Sequence, residues 1–207
     1  VVVVCGRRRE RFPEASVYNG LTDAEWDTPI GAARSCGGDA LMRMVALVAV
    51  GDYNPTLIAG EEPELCVRLR QAGGTIWRLD VEMTWHDAAM TRFSQWWKRA
   101  RRAGHAFAEG AALHGAPPER HNVAQTRRAV LWGAALPAAI LLGSAISPWA
   151  LLAAGLWPVK VLRLTAKDIT PMRALFLVVG NIPEALGVLE YGFKRALGRQ
   201  SALIEYK

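Results

Sequence analysis

Two adjacent carboxylates stand before a helical segment in the first half of the chain. Glu61 and Glu62 precede Pro63, which favours the first position of a helix, and residues 63–72 are predicted to be helical. The positive end of a helix dipole stabilises ionised carboxylates at such a place. A carboxylate held ionised in a cleft can take a proton from a hydroxyl group. Acidic residues that merely occupy the first turn of a helix have the same pattern.

A pair of glycines opens the segment upstream of these carboxylates. Gly37 and Gly38 precede Asp39, and residues 39–48 are predicted to form a helix. Because glycine has no side chain, two of them let a substrate approach the backbone closely. The turn is therefore a candidate binding element, although a plain connection between a loop and a helix has the same composition.

A strand with one buried face is predicted downstream of the carboxylates. Apolar and more polar residues alternate over residues 77–85, and His86 and Asp87 follow them. A His at a strand end can ligate a divalent metal or contact a phosphate. A surface His beside an acidic residue is the alternative interpretation. An amphipathic helix with a basic side is then predicted over residues 91–110, and the order helix, strand, helix indicates an α/β domain.

The second part of the chain has a different composition. Residues 129–159 contain no charged side chain. The stretch spans about 31 residues, whereas one membrane span needs about 20. Pro148 predicts a break within it, and basic residues flank it on both sides. These residues are Arg127, Arg128, Lys160 and Arg163. The positive-inside rule places both flanks in the cytoplasm, so we predict a hairpin that enters the membrane and returns. A buried pair of helices in a soluble core is the alternative.

A third apolar segment, residues 174–189, is interrupted by polar residues and by a proline, so the sequence does not predict a span there. Residues 191–199 mix basic and apolar side chains, as in a helix at the membrane interface.

The net charge of +6 suits nucleic acid, an anionic membrane surface or a phosphorylated substrate. No nucleic-acid motif surrounds the basic residues, and we expect no nucleic-acid partner. Three cysteines without metal-ligand spacing indicate a reducing compartment.

The ordered set of motifs resembles the family 2 glycosyltransferases with the GT-A fold. The matching motifs are Gly37-Gly38-Asp39, Gly51-Asp52-Tyr53, Gly60-Glu61-Glu62, Arg68-Leu69-Arg70, His86 and Gln95-Trp96-Trp97-Lys98-Arg99. The resemblance covers about residues 1–110. It implies an α/β fold in which residues 1–126 form the acceptor-side, carboxyl-terminal half of a GT-A catalytic domain. Residues 127–207 would form the membrane hairpin and interfacial helices.

The resemblance also implies a role for each matching residue. Glu62 stands where the family has the second acid of a Glu-Asp pair, the general base that activates the acceptor hydroxyl. Glu is one methylene longer than Asp, so Glu61 remains a second candidate. Gly38 and Asp39 match the acceptor-binding turn. His86 matches a His near the metal and the diphosphate.

The aromatic helix would also contribute to acceptor binding. Gln95, Trp96 and Trp97 are similar to a Gln-x-x-Arg-Trp motif of processive synthases, but Arg and Trp do not stand in that order, so processivity is not inferred. Either Trp can stack on a sugar ring or anchor the chain at the membrane interface. Both interpretations stay open at this point.

The implied function is inverting transfer of a sugar from a nucleotide-activated donor to a glycan or lipid-linked acceptor at the cytoplasmic face of a membrane. A divalent metal, Mg²⁺ or Mn²⁺, would serve the intact enzyme. The donor-binding half with its Asp-x-Asp site is expected before Val1, since residues 23–27 are predicted to be a solvated acidic loop. The chain alone would then be inactive. The alternative function is a non-catalytic, membrane-bound interaction module derived from a glycosyltransferase.

Overall fold

The computed structural model describes residues 1–198, so Arg199 and the tail that follows lie outside the described residues. The chain divides into two compact units between Trp96 and Trp97. This division comes earlier than residues 126–127, where composition alone places the domain boundary. Each unit is described below by itself.

The first unit is built on a four-stranded mixed sheet, as the predicted α/β class requires. Its strands are β1 (Val3–Glu10), β2 (Gly31–Ala33), β3 (Ala40–Met42) and β4 (Ile76–His86). The order across the sheet is β2-β4-β1-β3, with β1 and β4 parallel and the two short edge strands antiparallel. Strand β4 ends at His86, as the sequence predicts.

The helices of this unit differ from the predictions at their starts. They are α1 (Val17–Trp26), α2 (Met44–Ala49) and α3 (Glu61–Gln71), with a 3₁₀ turn at Pro13–Ala15. Gly60 has a φ of 84°, a left-handed conformation that glycine adopts without strain, so α3 begins at Glu61 and not at Pro63. The helix predicted over residues 39–48 is wrong in its first half, because the backbone of β3 pairs there with β1.

The core of the first unit lies between α3 and one face of the sheet. Leu65 and Leu69 of α3 are buried against Val3, Cys5 and Ile76 of the two central strands. The prediction that the alternating apolar residues of β4 form its buried face is wrong. The sheet face that meets α3 carries Ile76, whereas the alternating apolar residues point the other way. These exposed side chains are Trp77, Leu79, Val81, Met83 and Trp85.

The acidic run at residues 23–27 is part of a helix and not a solvated loop. Asp23 Oδ1 accepts hydrogen bonds from the backbone N–H of Glu10 at 2.9 Å and from Arg9 Nε at 3.1 Å, which ties α1 to β1. The buried carboxylate of Glu10 in turn accepts from the backbone N–H of Ala88 at 2.8 Å and from Asn19 Nδ2 at 3.3 Å. These bonds fix α1 and the end of β4 to the same strand.

The second unit is helical. The helix α4 (Phe93–His114) contains the division between the units, and α5 (Val123–Val130) continues through a π-helical turn, Leu131–Ala135, into α6 (Leu136–Ser144). A 3₁₀ segment, Pro148–Gly155, leads into α7 (Leu156–Thr165). The chain ends, as far as it is described, with α8 (Pro171–Val179) and α9 (Asn181–Ala196).

The apolar stretch turns back on itself as a helical hairpin, and its insertion into a membrane stays a prediction. Helix α6 ends at Ser144 and the returning segment starts at Pro148, so the predicted break is confirmed. The return brings Trp157 back to Trp132, whose carbonyl oxygen accepts from Trp157 Nε1 at 3.4 Å. The side chains around the bend are largely exposed, with Ile146 at 91%.

Helix α9 packs closely on its neighbours through glycines. A methyl group on Gly104 of α4 would lie 1.9 Å from the carbonyl oxygen of Glu184, and one on Gly187 would lie 2.0 Å from that of Arg101. The backbones of α4 and α9 therefore approach so closely that no larger side chain fits between them. Small residues at helix contacts are typical of helices that pack within membranes.

Helices α8 and α9 together form the one described helix that meets the length and composition of a membrane span. It covers Pro171–Ala196, 26 residues with a mean hydropathy of 1.5. The sequence does not predict this span because polar residues interrupt it. The structure accommodates them: Asn181 Nδ2 donates to the carbonyl oxygens of Leu177 and Val178, each at 2.8 Å, and Glu184 pairs with Arg128.

Candidate functional site

The glycine turn and the carboxylate pair meet in the structure. A methyl group on Gly38 would lie 3.2 Å from Glu62 Oε1 and 3.1 Å from Arg8 Nη2. Glu62 is therefore held directly beside the turn by the first turn of α3, although the two residues are far apart in the chain. Both glycines are exposed, so the backbone at this point is open to a ligand.

Arg8, which the sequence analysis did not single out, joins these elements. It lies on the central strand β1 and forms an ion pair with Asp39 through its Nε. Its Nη2 would lie 3.5 Å from a methyl group on Gly37, and its guanidinium carbon is 5.2 Å from the ring centroid of Trp26. One cation thus contacts the turn, the acid that follows it and an aromatic ring.

Asp39 is held as a carboxylate by these neighbours. Burial alone would raise its pKa, but the hydrogen bonds of Arg8 and Thr84, with the charges of Arg8 and His86, outweigh burial and lower the pKa overall. Because Arg8 already occupies Asp39, this acid is better suited to fixing the turn than to accepting a proton. Glu62 is the other carboxylate beside the glycines, with Oε1 3.2 Å from a methyl group placed on Gly38.

Trp26 lines the cavity beside the turn, and its ring meets that of His86. Their ring centroids are 5.5 Å apart with the planes inclined by 70°, so the rings meet edge to face. A cavity of about 270 Å³ lies beside the turn. Its lining includes Arg8, Glu25, Trp26, Gly37 and Asp39. Its size lies near the lower end of small-molecule pockets.

The loop between α2 and α3 also comes close to Glu62. Burial raises the pKa of Tyr53, and the negative charge of Glu62 raises it further. The phenol of Tyr53 therefore stays protonated near neutral pH and can donate a hydrogen bond. The Gly51-Asp52-Tyr53 motif thus lies near the same acid as the glycine turn.

Two buried cysteines connect the glycine turn to α3. Cys36 and Cys66 are both free thiols, with their sulfur atoms 3.5 Å apart, and the backbone N–H of Cys36 donates to Cys66 Sγ at 3.4 Å. The hydrogen bond to Cys66, together with burial, raises the pKa of the Cys36 thiol. The turn is thereby attached directly to α3, the helix that carries Glu62.

The aromatic helix contributes less directly than the resemblance implies. Gln95 Oε1 accepts from the backbone N–H groups of Thr91 at 2.9 Å and Arg92 at 3.0 Å, so its side chain caps the start of α4. Trp96 is only 8% exposed, and its ring centroid lies 5.3 Å from that of Phe93. Trp97 belongs to the second unit and is partly buried. An acceptor-binding role of these three residues stays a prediction.

A metal site is not formed by this part of the protein. In residues 1–198, no group of three or more His, Cys, Asp or Glu side chains is arranged to hold a metal ion. His86 meets the ring of Trp26, and Asp39 is paired with Arg8. Neither residue therefore has a metal-binding cluster around it in the described part of the chain, and a role of His86 near a metal stays a prediction.

Arg8 and Trp26 are the two residues of the site that the sequence did not predict, and only Arg8 left a weak signal in it. Alternation along a strand separates Arg8 from Arg7 and Arg9, which both pair with Asp23. That alternation predicts a different partner for Arg8, but it does not name Asp39 or Trp26.

Comparison of the chain with protein-family models and with curated proteins finds no match. The interpretation of the cleft therefore rests on its geometry and its chemistry.

Proposed function

We propose that this chain is the acceptor-side part of an inverting glycosyltransferase that works at a membrane, with the GT-A type of fold implied by the family 2 resemblance. The observation that supports this most is the convergence of four separated motifs. Glu62 lies beside the glycine turn, and its negative charge acts on Tyr53. Arg8 joins the turn to Asp39 and to the ring of Trp26, which meets the ring of His86. Arg8, Trp26, Gly37 and Asp39 line the small cleft beside the turn. A cleft with a carboxylate, a cation and an aromatic ring suits a sugar hydroxyl and its ring.

Glu62 is the proposed general base. Its carboxylate lies beside Gly38, where the absence of a side chain lets an acceptor hydroxyl come within hydrogen-bond distance. Removing the proton strengthens the oxygen nucleophile, which then attacks the anomeric carbon of the donor from the side opposite the departing diphosphate. The attack forms the new glycosidic bond, breaks the bond to the diphosphate and inverts the anomeric centre. Glu61 is the first residue of α3, and within residues 1–198 no contact places it at the turn.

Arg8 and Trp26 are assigned positioning and binding roles. Arg8 holds Asp39 and the glycine turn in place through its ion pair. Trp26 lines the cavity, so its indole ring can stack on the apolar face of a sugar. The donor nucleotide-sugar and the divalent metal stay predictions that the resemblance implies.

The membrane location is supported by the second unit. The span Pro171–Ala196 is long and apolar enough to cross a bilayer. Large apolar side chains on the hairpin are also exposed, among them Leu142 at 73% and Trp149 at 76%. Basic residues flank the hairpin on both sides, which favours the cytoplasmic side for both of its ends. A lipid-linked acceptor or a growing glycan at that membrane face is the proposed acceptor.

Membranes from cells that express the chain together with the donor-binding half that the resemblance implies test the proposal. They would be incubated with a panel of UDP- and GDP-sugars, and release of nucleoside diphosphate and labelled product would be measured. Glu62→Gln should abolish turnover while donor binding is retained, because the amide cannot accept the proton. Glu61→Gln, the matched control, should retain most of the activity. If Glu62→Gln is as active as the unaltered protein, the chain is not an enzyme of this mechanism. The non-catalytic interaction module then gains support.

A further inference from the structure

A cluster of charged side chains lies within residues 97–198. Arg128 at the end of α5 pairs with Glu184 of α9, with 2.8 Å between Nη2 and Oε2. Lys160 of α7 places its ammonium over the ring of Trp132, 4.0 Å from the ring centroid. The hairpin brings these four residues together, and two positive charges face one negative charge.

Two hydrogen-bond donors in this cluster are unused. The Nζ of Lys160 and the Nε of Arg128 are both buried, and neither has a hydrogen-bond acceptor within the described part of the chain. A buried donor without a partner, and a charge above all, is costly. An anion with several oxygens would accept from both donors and would neutralise the excess positive charge.

The helical segments that carry the cluster also expose apolar side chains. Leu131, Leu156 and Leu162 belong to the same helical segments as Trp132 and Lys160, and all three are exposed. A cation over a Trp ring, on segments that also expose leucines, matches the boundary between lipid tails and headgroups. In that layer of a membrane, the phosphate of an anionic lipid is an abundant anion.

We propose that Arg128 and Lys160 bind the phosphate group of an anionic membrane lipid, whose acyl chains lie along the exposed leucines. Lys160 donates to the phosphate from above the ring of Trp132. Arg128 donates through its Nε while its Nη2 keeps the ion pair with Glu184. This site rests on the membrane location in the proposed function and is independent of sugar transfer.

Lipid binding to the purified full chain in a neutral detergent is the test. Titrations with phosphatidylglycerol, phosphatidylcholine and inorganic phosphate would be followed by native mass spectrometry at pH 7, with thermal unfolding in about 0.5 M salt to screen exposed charges. The variant Lys160→Met removes the ammonium but keeps an unbranched side chain against Trp132. The matched control is Lys167→Met, since Lys167 is an exposed residue just beyond α7.

We expect phosphatidylglycerol to bind the unaltered chain and to bind Lys160→Met at least about tenfold more weakly, because a charge-assisted hydrogen bond is lost. Lys167→Met should bind as the unaltered chain does, and Lys160→Arg should retain binding because it keeps the cation. Equal weakening in both Met variants, no weakening in either, or equal binding of phosphatidylcholine would overturn the proposal. Binding of inorganic phosphate without any effect of the lipid would overturn its assignment to a lipid. None of these readouts needs turnover, so a failure here is distinct from a failure at Glu62.

Discussion

Adding a single methyl group at the glycine turn should lower the transfer activity while leaving the free energy of unfolding nearly unchanged. In Gly38→Ala the new methyl lies 3.1 Å from Arg8 Nη2 and 3.2 Å from Glu62 Oε1, which is closer than a normal contact by a few tenths of an ångström. Both atoms are at the ends of flexible side chains, so they can move aside at little cost. Replacing Gly by Ala also restricts the unfolded chain, which favours folding by about 0.4–1 kcal/mol. We therefore expect the free energy of unfolding to change by no more than about 1 kcal/mol.

The displacement of Glu62 by this methyl group should lower the rate of catalysis. A misplacement of about 1 Å can lower a rate about 100-fold, so a shift of a few tenths of an ångström in the proposed base should lower it about tenfold. The neighbouring glycine provides the control. A methyl group on Gly37 would lie 3.5 Å from Arg8 Nη2, which is an ordinary contact, and it has no contact with Glu62. Gly37→Ala should therefore retain most of the transfer activity.

The assay for this pair is diphosphate release from the nucleotide-sugar donor, together with thermal unfolding of the same preparations. The reasoning predicts a slow but stable Gly38→Ala protein and a nearly normal Gly37→Ala protein. It would be refuted if Gly37→Ala lost as much activity as Gly38→Ala, or if Gly38→Ala kept full activity.

Two further predictions concern packing and pH. In α9, a methyl group on Gly187 would lie 2.0 Å from the carbonyl oxygen of Arg101, whereas one on Gly192 would meet nothing within 4 Å. Gly187→Ala should therefore destabilise the chain by about 1–3 kcal/mol through overpacking, and Gly192→Ala should stabilise it by up to about 1 kcal/mol. Thermal unfolding in detergent checks both, and equal effects would contradict the close approach of α4 and α9. The pKa of Asp39 is lowered, so its contribution to stability is complete above pH 3.8, its ordinary value, and is lost as the pH falls further. Arg8→Met should remove that part of the acid sensitivity, and unfolding curves between pH 2 and pH 5 that matched those of the unaltered chain would show that Arg8 does not hold the pKa down.

Local signals in the sequence predicted those parts of the fold that local chemistry decides. Pro63 and the acids before it marked α3 to within two residues, alternation marked β4 up to His86, and Pro148 marked the bend of the hairpin. In each case the backbone conformation depends on the residue itself or on its near neighbours. These signals need no knowledge of distant contacts.

The parts that could not be predicted depend on partners far away in the chain. Residues 40–42 form a strand because their backbone pairs with that of β1, although their own composition favours a helix. Alternation in β4 showed two distinct faces but not which of them meets α3. The ion pair of Arg8 with Asp39 and the place of Trp26 follow from the assembled sheet, so they emerge only from the structure.

The stereochemistry of the reaction tests the central claim most directly. If Glu62 acts as a base and the acceptor oxygen attacks the donor itself, the product must have the opposite anomeric configuration to the donor. Proton NMR of the product formed from an α-linked nucleotide-sugar should then show a β linkage. A product with the α linkage would mean that the configuration is retained, either through two successive displacements or through attack from the side of the leaving group, and it would contradict the role assigned to Glu62.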